Sequence, residues 1–353
     1  MSGGVDSSVA AALLLEQGFD VVGITMDLYP LPVEDCDSAR SCCGKGSLAD
    51  ANRVASQMKI DHYVLNLRKS FRKWVVDNFC EEYAKGRTPN PCIRCNKFIK
   101  FDMLWDRAEK MGADYLATGH HARILYDKKR QSYVLKKGKD GRKDQSYFLY
   151  TMTQEQLART LMPVGHFTKQ EVRKKAKALG LTVHERQESQ EICFIPDGDY
   201  ARFLEKKIPD CFSPGPIVDR EGQILGNHKG ICHFTVGQRR GLGIAALRPL
   251  YVLAIDPIGH KIVVGTNEHL YKKNIVISRL NWIVHDVFSS PIILNAKIRY
   301  KQKEAGSRLS PLGNNKALLE FDNPQRAVTP GQSAVFYEKD LVLGGGIIEE
   351  AGD

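Results

Sequence analysis

Ser2-Gly3-Gly4-Val5-Asp6-Ser7-Ser8 stands at the head of the chain and runs straight into the apolar stretch from Val9 to Leu15. Two adjacent glycines let backbone N–H groups turn inward, and the Ser7 and Ser8 hydroxyls add donors. A helix starting behind them presents the positive end of its dipole, so the segment reads as a cradle for a phosphate. It is neither the G-x-x-x-x-G-K-[ST] phosphate loop nor the G-x-G-x-x-G of dinucleotide folds. The plainer alternative is a glycine-rich turn with an Asp or Ser helix cap.

Outward from this loop, as far as about residue 120, short apolar runs alternate with helical ones, the pattern of βαβ units and a parallel sheet. Val21 to Met26, Tyr63 to Leu67 and Tyr115 to Thr118 read as buried strands. Ser8 to Gln17, Ser47 to Met58, Phe71 to Lys85 and Phe98 to Lys110 read as helices, with Gly18 and Gly112 as stops. Ile124 to Leu125 and Tyr133 to Leu135 flank a basic turn and predict a hairpin; Thr168 and Glu171 form a capping box ahead of a basic helix. Past Pro196 the texture changes to short β-rich segments broken by Gly, Pro and Asn: Ile231 to Val236, Tyr251 to Ile255, Lys261 to Val264, Ile292 to Tyr300, Lys316 to Phe321 and Ser333 to Tyr337. One or two small β domains follow from that. The expected division is 1–198, 199–268 and 269–353.

At 353 residues the chain is longer than one compact core usually holds. Its 42% hydrophobic and 26% charged content places it with globular proteins. The run from Val9 to Leu15 is far short of the roughly 20 residues of a membrane span, and no secretory leader is apparent, so a cytoplasmic protein is expected. The formal charge is +10 and unevenly placed. Eight Lys or Arg lie between Lys128 and Lys143 against the single acid Asp140, and five more lie between Lys169 and Lys177 against Glu171. A polyanion such as nucleic acid is the economical partner; a solvated loop and helix face are the alternative.

Nine cysteines in such a chain argue against a disulfide framework. Cys36, Cys42, Cys43, Cys80, Cys211 and Cys232 fall in no spacing that suggests chemistry. Cys92 and Cys95 form a C-x-x-C, and Cys193 lies in a separate polar loop. Taken alone, C-x-x-C suggests zinc or redox chemistry, but neither a second C-x-x-C nor H-x-x-x-H completes a zinc site.

The opening loop resembles the signature of the N-type ATP pyrophosphatases, which cleave ATP between the α- and β-phosphates and adenylate a carbonyl oxygen of their substrate. Further motifs narrow the resemblance: Thr88-Pro89-Asn90-Pro91-Cys92-Ile93-Arg94-Cys95-Asn96-Lys97, Ala117-Thr118-Gly119-His120, and Lys143-Asp144-Gln145-Ser146-Tyr147-Phe148-Leu149. Ser189-Gln190-Glu191-Ile192-Cys193-Phe194-Ile195, Phe234 to Gly243 and Thr329-Pro330-Gly331-Gln332 complete the set. In this order and over the whole chain they resemble the tRNA-specific 2-thiouridylase family. The implied fold is α/β: an adenine-nucleotide alpha hydrolase-like parallel sheet, a small central β-rich domain and a C-terminal β-barrel. The implied activity is ATP-dependent thiolation of the tRNA wobble uridine, with Mg2+. A persulfide donor protein, either a cysteine desulfurase or a sulfur-relay protein, would be the partner besides tRNA.

By the same resemblance Cys95 is the nucleophile and Cys193 carries the persulfide. Ser2, Gly3, Gly4, Val5, Asp6, Ser7 and Ser8 hold ATP, with Met26 against adenine and Gly119 allowing nucleotide approach. Asn90, Pro91, Cys92, His120, Lys143, Asp144, Gln145, Arg299, Tyr300 and Gln332 contact tRNA. The chemistry supports a two-thiol scheme, since one thiol can hold sulfane sulfur while another releases it or resolves the product. Two departures stand out. Relatives carry an apolar strand before the loop, whereas here Met1 abuts Ser2, which suggests a start recorded too late. Relatives also carry an acidic residue at position 92. Three thiolates, Cys92, Cys95 and Cys193, would suit a cubane iron–sulfur cluster with one open iron, an alternative set behind the cluster-free route. Two other functions stay in view: a small-molecule ATP pyrophosphatase, which would have no use for the two thiols, and a non-catalytic tRNA-binding protein.

Overall fold

The computed structural model describes residues 1–28, 45–185, 192–195, 197–284 and 288–352. Cys36, Cys42, Cys43 and the Ser189-Gln190-Glu191 motif residues lie outside them. Two compact units emerge, Met1–Val75 with Pro91–Gly198 and Asp340–Val342, and Val76–Asn90 with Asp199–Lys339 and Leu343–Asp353.

The first unit is α/β. It comprises α1 (Val5–Glu16), β1 (Gly23–Asp27), α2 (Lys45–Met58), β2 (His62–Asn66) and α3 (Arg68–Phe71). A π-helical stretch (Arg72–Val76) leads from α3 into α4 (Asp77–Ala84) of the second unit. α5 (Pro91–Arg94) passes through π-helix at Cys95–Met103 into α6 (Leu104–Lys110). Then come β3 (Leu116–Ala117), β4 (Ala122–Asp127), β5 (Ser132–Lys137), α7 (Gln154–Ala158), β6 (Thr160–Leu161) and α8 (Lys169–Ala178). Strands β1 and β2 pair in parallel, as do β3 and β6, and β4–β5 is the expected antiparallel hairpin.

α1 is apolar almost all round because it is buried almost all round: Val9, Ala10 and Leu13 pack with Val54 of α2 and with Val172 and Ala176 of α8. Burial of such side chains contributes about 1.5–3 kcal/mol each, and it fixes the start of α8 near the start of α1. Thr168 and Glu171 form the capping box the sequence predicts. Gly18 and Gly112 take φ of +83° and +85° at helix stops. β2 departs from the buried strand expected over Tyr63 to Leu67: Tyr63 and Val64 are 46% and 47% exposed, because among the described strands β2 pairs only with β1.

The second unit holds α4, α9 (Tyr200–Lys207), β7 (Gly215–Val218), β8 (Ile224–His228), β9 (Tyr251–Asp256) and β10 (Lys261–Gly265). These strands form a sheet in the order β8-β7-β10-β9. β11 (Tyr271–Trp282), β12 (Ile292–Lys297), β13 (Ala305–Gly313), β14 (Lys316–Arg326), β15 (Ser333–Glu338) and β16 (Leu341–Gly352) follow. They run in the order β11-β14-β13-β12-β15-β16 and close through β11–β16 into an antiparallel barrel, which leaves no free edge. Ile275, Ile277, Leu309, Leu319, Phe321, Val335 and Ile348 fill its interior.

Ile231 to Val236, expected as a strand, is instead a 3-10 turn over Ile231–His233 followed by loop. From Cys232 to Val236 its burial alternates as a strand's would, but its hydrogen bonds close locally, Phe234 N donating to Ile231 O and Gln238 N to Thr235 O. Gly230 and Gly237, at φ of +146° and +90°, bend the chain on either side. Among the described residues no helix is long and apolar enough to cross a membrane.

Candidate functional site

Gly3 at φ +64° turns the chain so that Gly4 becomes the N-cap of α1, a cap without a side-chain acceptor. The first N–H groups of α1 are therefore without a side-chain cap. The hydroxyls organise the loop: Ser7 and Ser8 Oγ donate to Gly4 O at 3.1 and 3.0 Å, and Ser2 N donates to Ser7 Oγ at 3.2 Å. Val5 and Ser8 are buried, anchoring the loop to the core.

Asp6 projects from the first turn toward Lys169 and His121. Lys169 Nζ, at the first position of α8, meets Oδ1 and Oδ2 at 2.8 and 2.7 Å, and His121 Nε2 donates to Oδ1 at 3.1 Å. Burial alone would raise the Asp6 carboxyl, but the His121 hydrogen bond and the Lys169 charge hold it below its ordinary value. His121 is itself 3% exposed; its backbone N–H donates to Gln145 Oε1, and its buried Nδ1 has no hydrogen-bond partner among the described residues.

Gly119 lies directly on the loop. A Cβ there would come within 2.6 Å of Ser7 N and 2.7 Å of the Asp6 carbonyl carbon, so only glycine lets the end of β3 approach the phosphate loop this closely. The neighbouring His120 receives Lys100 Nζ at 3.5 Å on Nε2 and hydrogen-bonds Thr118 Oγ1 through Nδ1 at 2.9 Å. Burial first, then the Lys100 charge, push its pKa well below the ordinary histidine value, so it is neutral. Met26 sits half-buried on β1, opposite Leu65.

The C-x-x-C lies on the α5 helix and its π-helical continuation. Pro91 and Cys95 are buried and Cys92 is exposed, so the two thiols have different surroundings. Asn96, beside Cys95, donates to Phe148 O at 3.0 Å, and its Oδ1 is a buried acceptor without a partner among the described residues. Cys193 is half-buried; the adjacent Phe194 packs edge-on against Phe71 of α3 at 5.7 Å, and α3 in turn packs on the Cys95–Met103 stretch. Among the described residues no set of three or more His, Cys, Asp or Glu side chains is gathered to hold a metal ion.

On the same helix Phe98 stacks on Trp74 at 4.7 Å, with the Arg94 guanidinium 4.6 Å and Lys97 Nζ 5.4 Å from its ring. Cations interleaved with half-buried aromatics are a surface suited to unstacked bases. The turn residues Lys128, Lys129 and Arg130 of the β4–β5 hairpin are exposed. Arg130 lies 3.6 Å from Asp127, Lys136 is shared with Asp340 at 3.5 Å and Lys139 with Glu171 at 2.9 Å.

The remaining expected contacts are placed as follows. Lys143 is half-buried, while the buried Asp144 carboxylate accepts from Gly138 N, Ser146 N and Ser146 Oγ, and so shapes its own loop. Gln145 is held by His121. In the second unit Asn90 is half-buried, and Gln332 Nε2 donates to Thr88 O and Pro89 O at 2.9 and 3.2 Å, bracing the segment that leads to Pro91. Arg299 donates to Val236 O, Ala327 O and Thr329 Oγ1; Tyr300 is half-buried with Lys297 Nζ 5.6 Å from its ring.

A family model described as the tRNA methyl transferase HUP domain matches residues 1–197. Models for the tRNA methyl transferase PRC-barrel domain and the aminomethyltransferase beta-barrel domain match residues 201–266 and 272–348. The tRNA-specific 2-thiouridylase MnmA of Acetivibrio thermocellus is 51% identical over 350 residues, covering 99% of this chain and 98% of that protein. Those of Clostridium perfringens and Halothermothrix orenii are each 49% identical, over 99% of this chain and 97% and 98% of theirs. The chain belongs to the tRNA-specific 2-thiouridylase family.

Within this 2-thiouridylase family member, sequence reading passed over Lys169, His121, Asn96 and the Trp74–Phe98 stack. Lys169 reads as one of five cations on a basic helix, yet it is only 7% exposed. No local signal separates it from Arg173 or Lys174. The His120-His121 pair and the Arg94-x-x-Lys97-Phe98 spacing were legible signals for the others.

Proposed function

We propose that this protein thiolates position 2 of the wobble uridine of tRNA, using ATP and a protein-bound persulfide and releasing AMP and pyrophosphate. The uridine O2 attacks the α-phosphorus of ATP and pyrophosphate leaves, turning a poor leaving group into AMP. The Gly3–Ser8 loop, with Ser2 and Gly119, would hold the phosphates and Met26 the adenine. Asp6 would serve the accompanying magnesium by exchanging contacts with Lys169 and His121, which engage both of its carboxylate oxygens here. A donor protein, a cysteine desulfurase or sulfur-relay protein, passes sulfane sulfur to Cys193. That sulfur replaces AMP at C2, and Cys95 attacks the Cys193 sulfur to release it. The resulting Cys95–Cys193 disulfide takes two electrons from an external dithiol.

The observation that carries this reading is the presence in one unit of an uncapped phosphate loop and two thiols of unequal burial, a combination with no use in ligation by ammonia or in tRNA binding alone. Asn90, Pro91 and Cys92 would then lie at the target base. His120, Lys143, Asp144, Gln145, Arg299, Tyr300 and Gln332 would line the tRNA path, Asp144 and Gln145 by shaping the loop that presents Lys143. The proposed domain limits are 1–198, 199–268 and 269–353, and the compartment is the cytoplasm.

The test is incubation of unmodified tRNA with the protein, ATP and a labelled persulfide donor, followed by nucleoside mass analysis. Label in 2-thiouridine at the wobble position, together with AMP and pyrophosphate, is the expected result. A methylated uridine, or sulfur incorporated without ATP cleavage, would overturn the reading.

A further inference from the structure

Three cysteines of the second unit have no part in this scheme: Cys80 on α4, Cys211 in the 3-10 turn Pro209–Phe212, and Cys232 in the 3-10 turn Ile231–His233. The two turns are pressed together at their backbones. Gly230 adopts φ +146°, and a Cβ on it would come within 2.6 Å of Phe212 Cα and 2.9 Å of Cys211 O. On the other side of the contact the Phe212 and His233 rings meet edge-on at 4.9 Å. Between these fixed points the two turns, which pack on one another, bring the Cys211 and Cys232 thiols within electrostatic reach of each other. Cys232 Sγ also donates to Tyr83 O at 3.5 Å, tying it to α4.

The two thiols are unequal in access. Cys232 is 1% exposed, whereas Cys211 is half-buried and open to small solutes. Cys80 is 7% exposed and only within electrostatic reach of the other two. Among the described residues no group of three side chains is arranged to hold a metal, so a thiolate metal site is not what the cluster forms. A solvent-reachable thiol backed by a sequestered one is the arrangement of an oxidisable pair: the first meets the oxidant and the second closes the bond from inside.

We infer that Cys211 and Cys232 form a reversible dithiol–disulfide site, with peroxide as the class of oxidant and Cys211 as the residue it meets. The Cys211 thiol gives up its proton and its sulfur attacks one peroxide oxygen; the O–O bond breaks, the departing hydroxide takes up that proton and leaves as water, and Cys211 becomes sulfenic acid. Cys232 sulfur then attacks the Cys211 sulfur, the sulfenic oxygen departs with the Cys232 proton as a second water, and a disulfide results. Two thiols have lost two electrons and the peroxide has gained them; an external dithiol reverses the change. Burial, and next the nearby Cys211, raise the Cys232 pKa, which keeps that thiol protonated and inert to reagents until its partner is oxidised. Burial likewise raises Cys80, to about 11, leaving it a bystander.

The experiment uses the full chain carrying Cys95→Ser and Cys193→Ser, so that the thiols of the proposed reaction contribute nothing, and the unsubstituted chain in parallel. Each is exposed to a small molar excess of hydrogen peroxide, alkylated after denaturation, reduced with dithiothreitol and alkylated with a heavy reagent before peptide mapping. The heavy label is expected on Cys211 and Cys232 together and in equal amount, with a linked peptide in the unreduced sample and light label on Cys80. Cys232→Ser should divert Cys211 to sulfinic and sulfonic acid, which dithiothreitol does not recover. A link from Cys211 to any other cysteine overturns the inference, and so does oxidation of Cys211 with Cys232 left reduced.

Discussion

Lys169 Nζ grips both carboxylate oxygens of Asp6, at 2.8 and 2.7 Å, in the first turn of the helix behind the phosphate loop. The pair is partly sheltered, Lys169 side chain 9% and Asp6 28% exposed. Removing one partner would leave an uncompensated charge beside α1. Lys169→Met should therefore cost about 1–3 kcal/mol in denaturant unfolding, and Asp6→Asn with Lys169→Met should recover most of it. Either single change should lower tRNA-dependent ATP–pyrophosphate exchange by about 100-fold, since Lys169→Met removes a cation beside the phosphate loop and Asp6→Asn removes the carboxylate that positions it. tRNA affinity should be nearly unchanged. Exchange that survives Asp6→Asn would reduce Asp6 to a structural role.

The unequal burial of Cys95 and Cys193 predicts separable defects. Cys193→Ser should accept no labelled sulfur from the donor, whereas Cys95→Ser should accept it and hold it without turnover. Gel analysis of the labelled protein, with and without tRNA and ATP, distinguishes the two. Full thiolation by either variant would remove the two-thiol scheme.

Cys92 is exposed and not grouped with Cys95 and Cys193 as a metal ligand. Cys92→Asp and Cys92→Ala should each retain more than about a third of the thiolation rate, because neither change removes a thiol the two-step chemistry uses. Anaerobically purified protein should be colourless and active when free of iron. A brown, iron-containing wild type beside an inactive, colourless Cys92→Asp would reverse this.

Charge at the β4–β5 turn gives a salt-dependent readout. Neutralising Lys128, Lys129 and Arg130 should flatten the slope of log affinity for tRNA against log salt by up to about 3, roughly 1 per phosphate contact. Neutralising Lys136 should do less, because Asp340 already shares its charge at 3.5 Å. An unchanged slope for the triple variant would make the turn merely a solvated one.

His120 is held neutral by burial and by Lys100, its pKa well below the ordinary 6.5. The unfolded chain takes up that proton first, so the contribution to stability is complete above the unfolded value and declines as pH falls from there toward the folded one. The slope from this one group approaches about 1.4 kcal/mol per pH unit within that window. Ring nitrogen shifts of His120 should show it protonating well below an ordinary histidine, which titrates near 6.5. His120→Gln should remove the corresponding part of the acid destabilisation in urea unfolding.

The local chemistry was legible in the chain itself. Gly3 must take a left-handed φ, Thr168 and Glu171 satisfy one another three residues apart, and the basic turn closes a hairpin between strands it directly joins. Such features involve neighbours in sequence, where steric and hydrogen-bonding rules act without knowledge of the rest of the fold. Length and texture likewise set the α/β part before the β-rich part, although the glycine-rich β16, which closes the barrel, carried too little apolar alternation to be read. Tertiary packing alone decided the rest. Asp6 and Lys169 are 163 residues apart and meet because Val9, Ala10 and Leu13 of α1 pack with Val172 and Ala176 of α8. Nothing in a basic helix says which of its cations will be buried. The turns that carry Cys211 and Cys232 come together for the same kind of reason: Gly230 lets them touch at the backbone, and a contact of that kind is set by where the whole unit places its turns, not by the residues on either side of them.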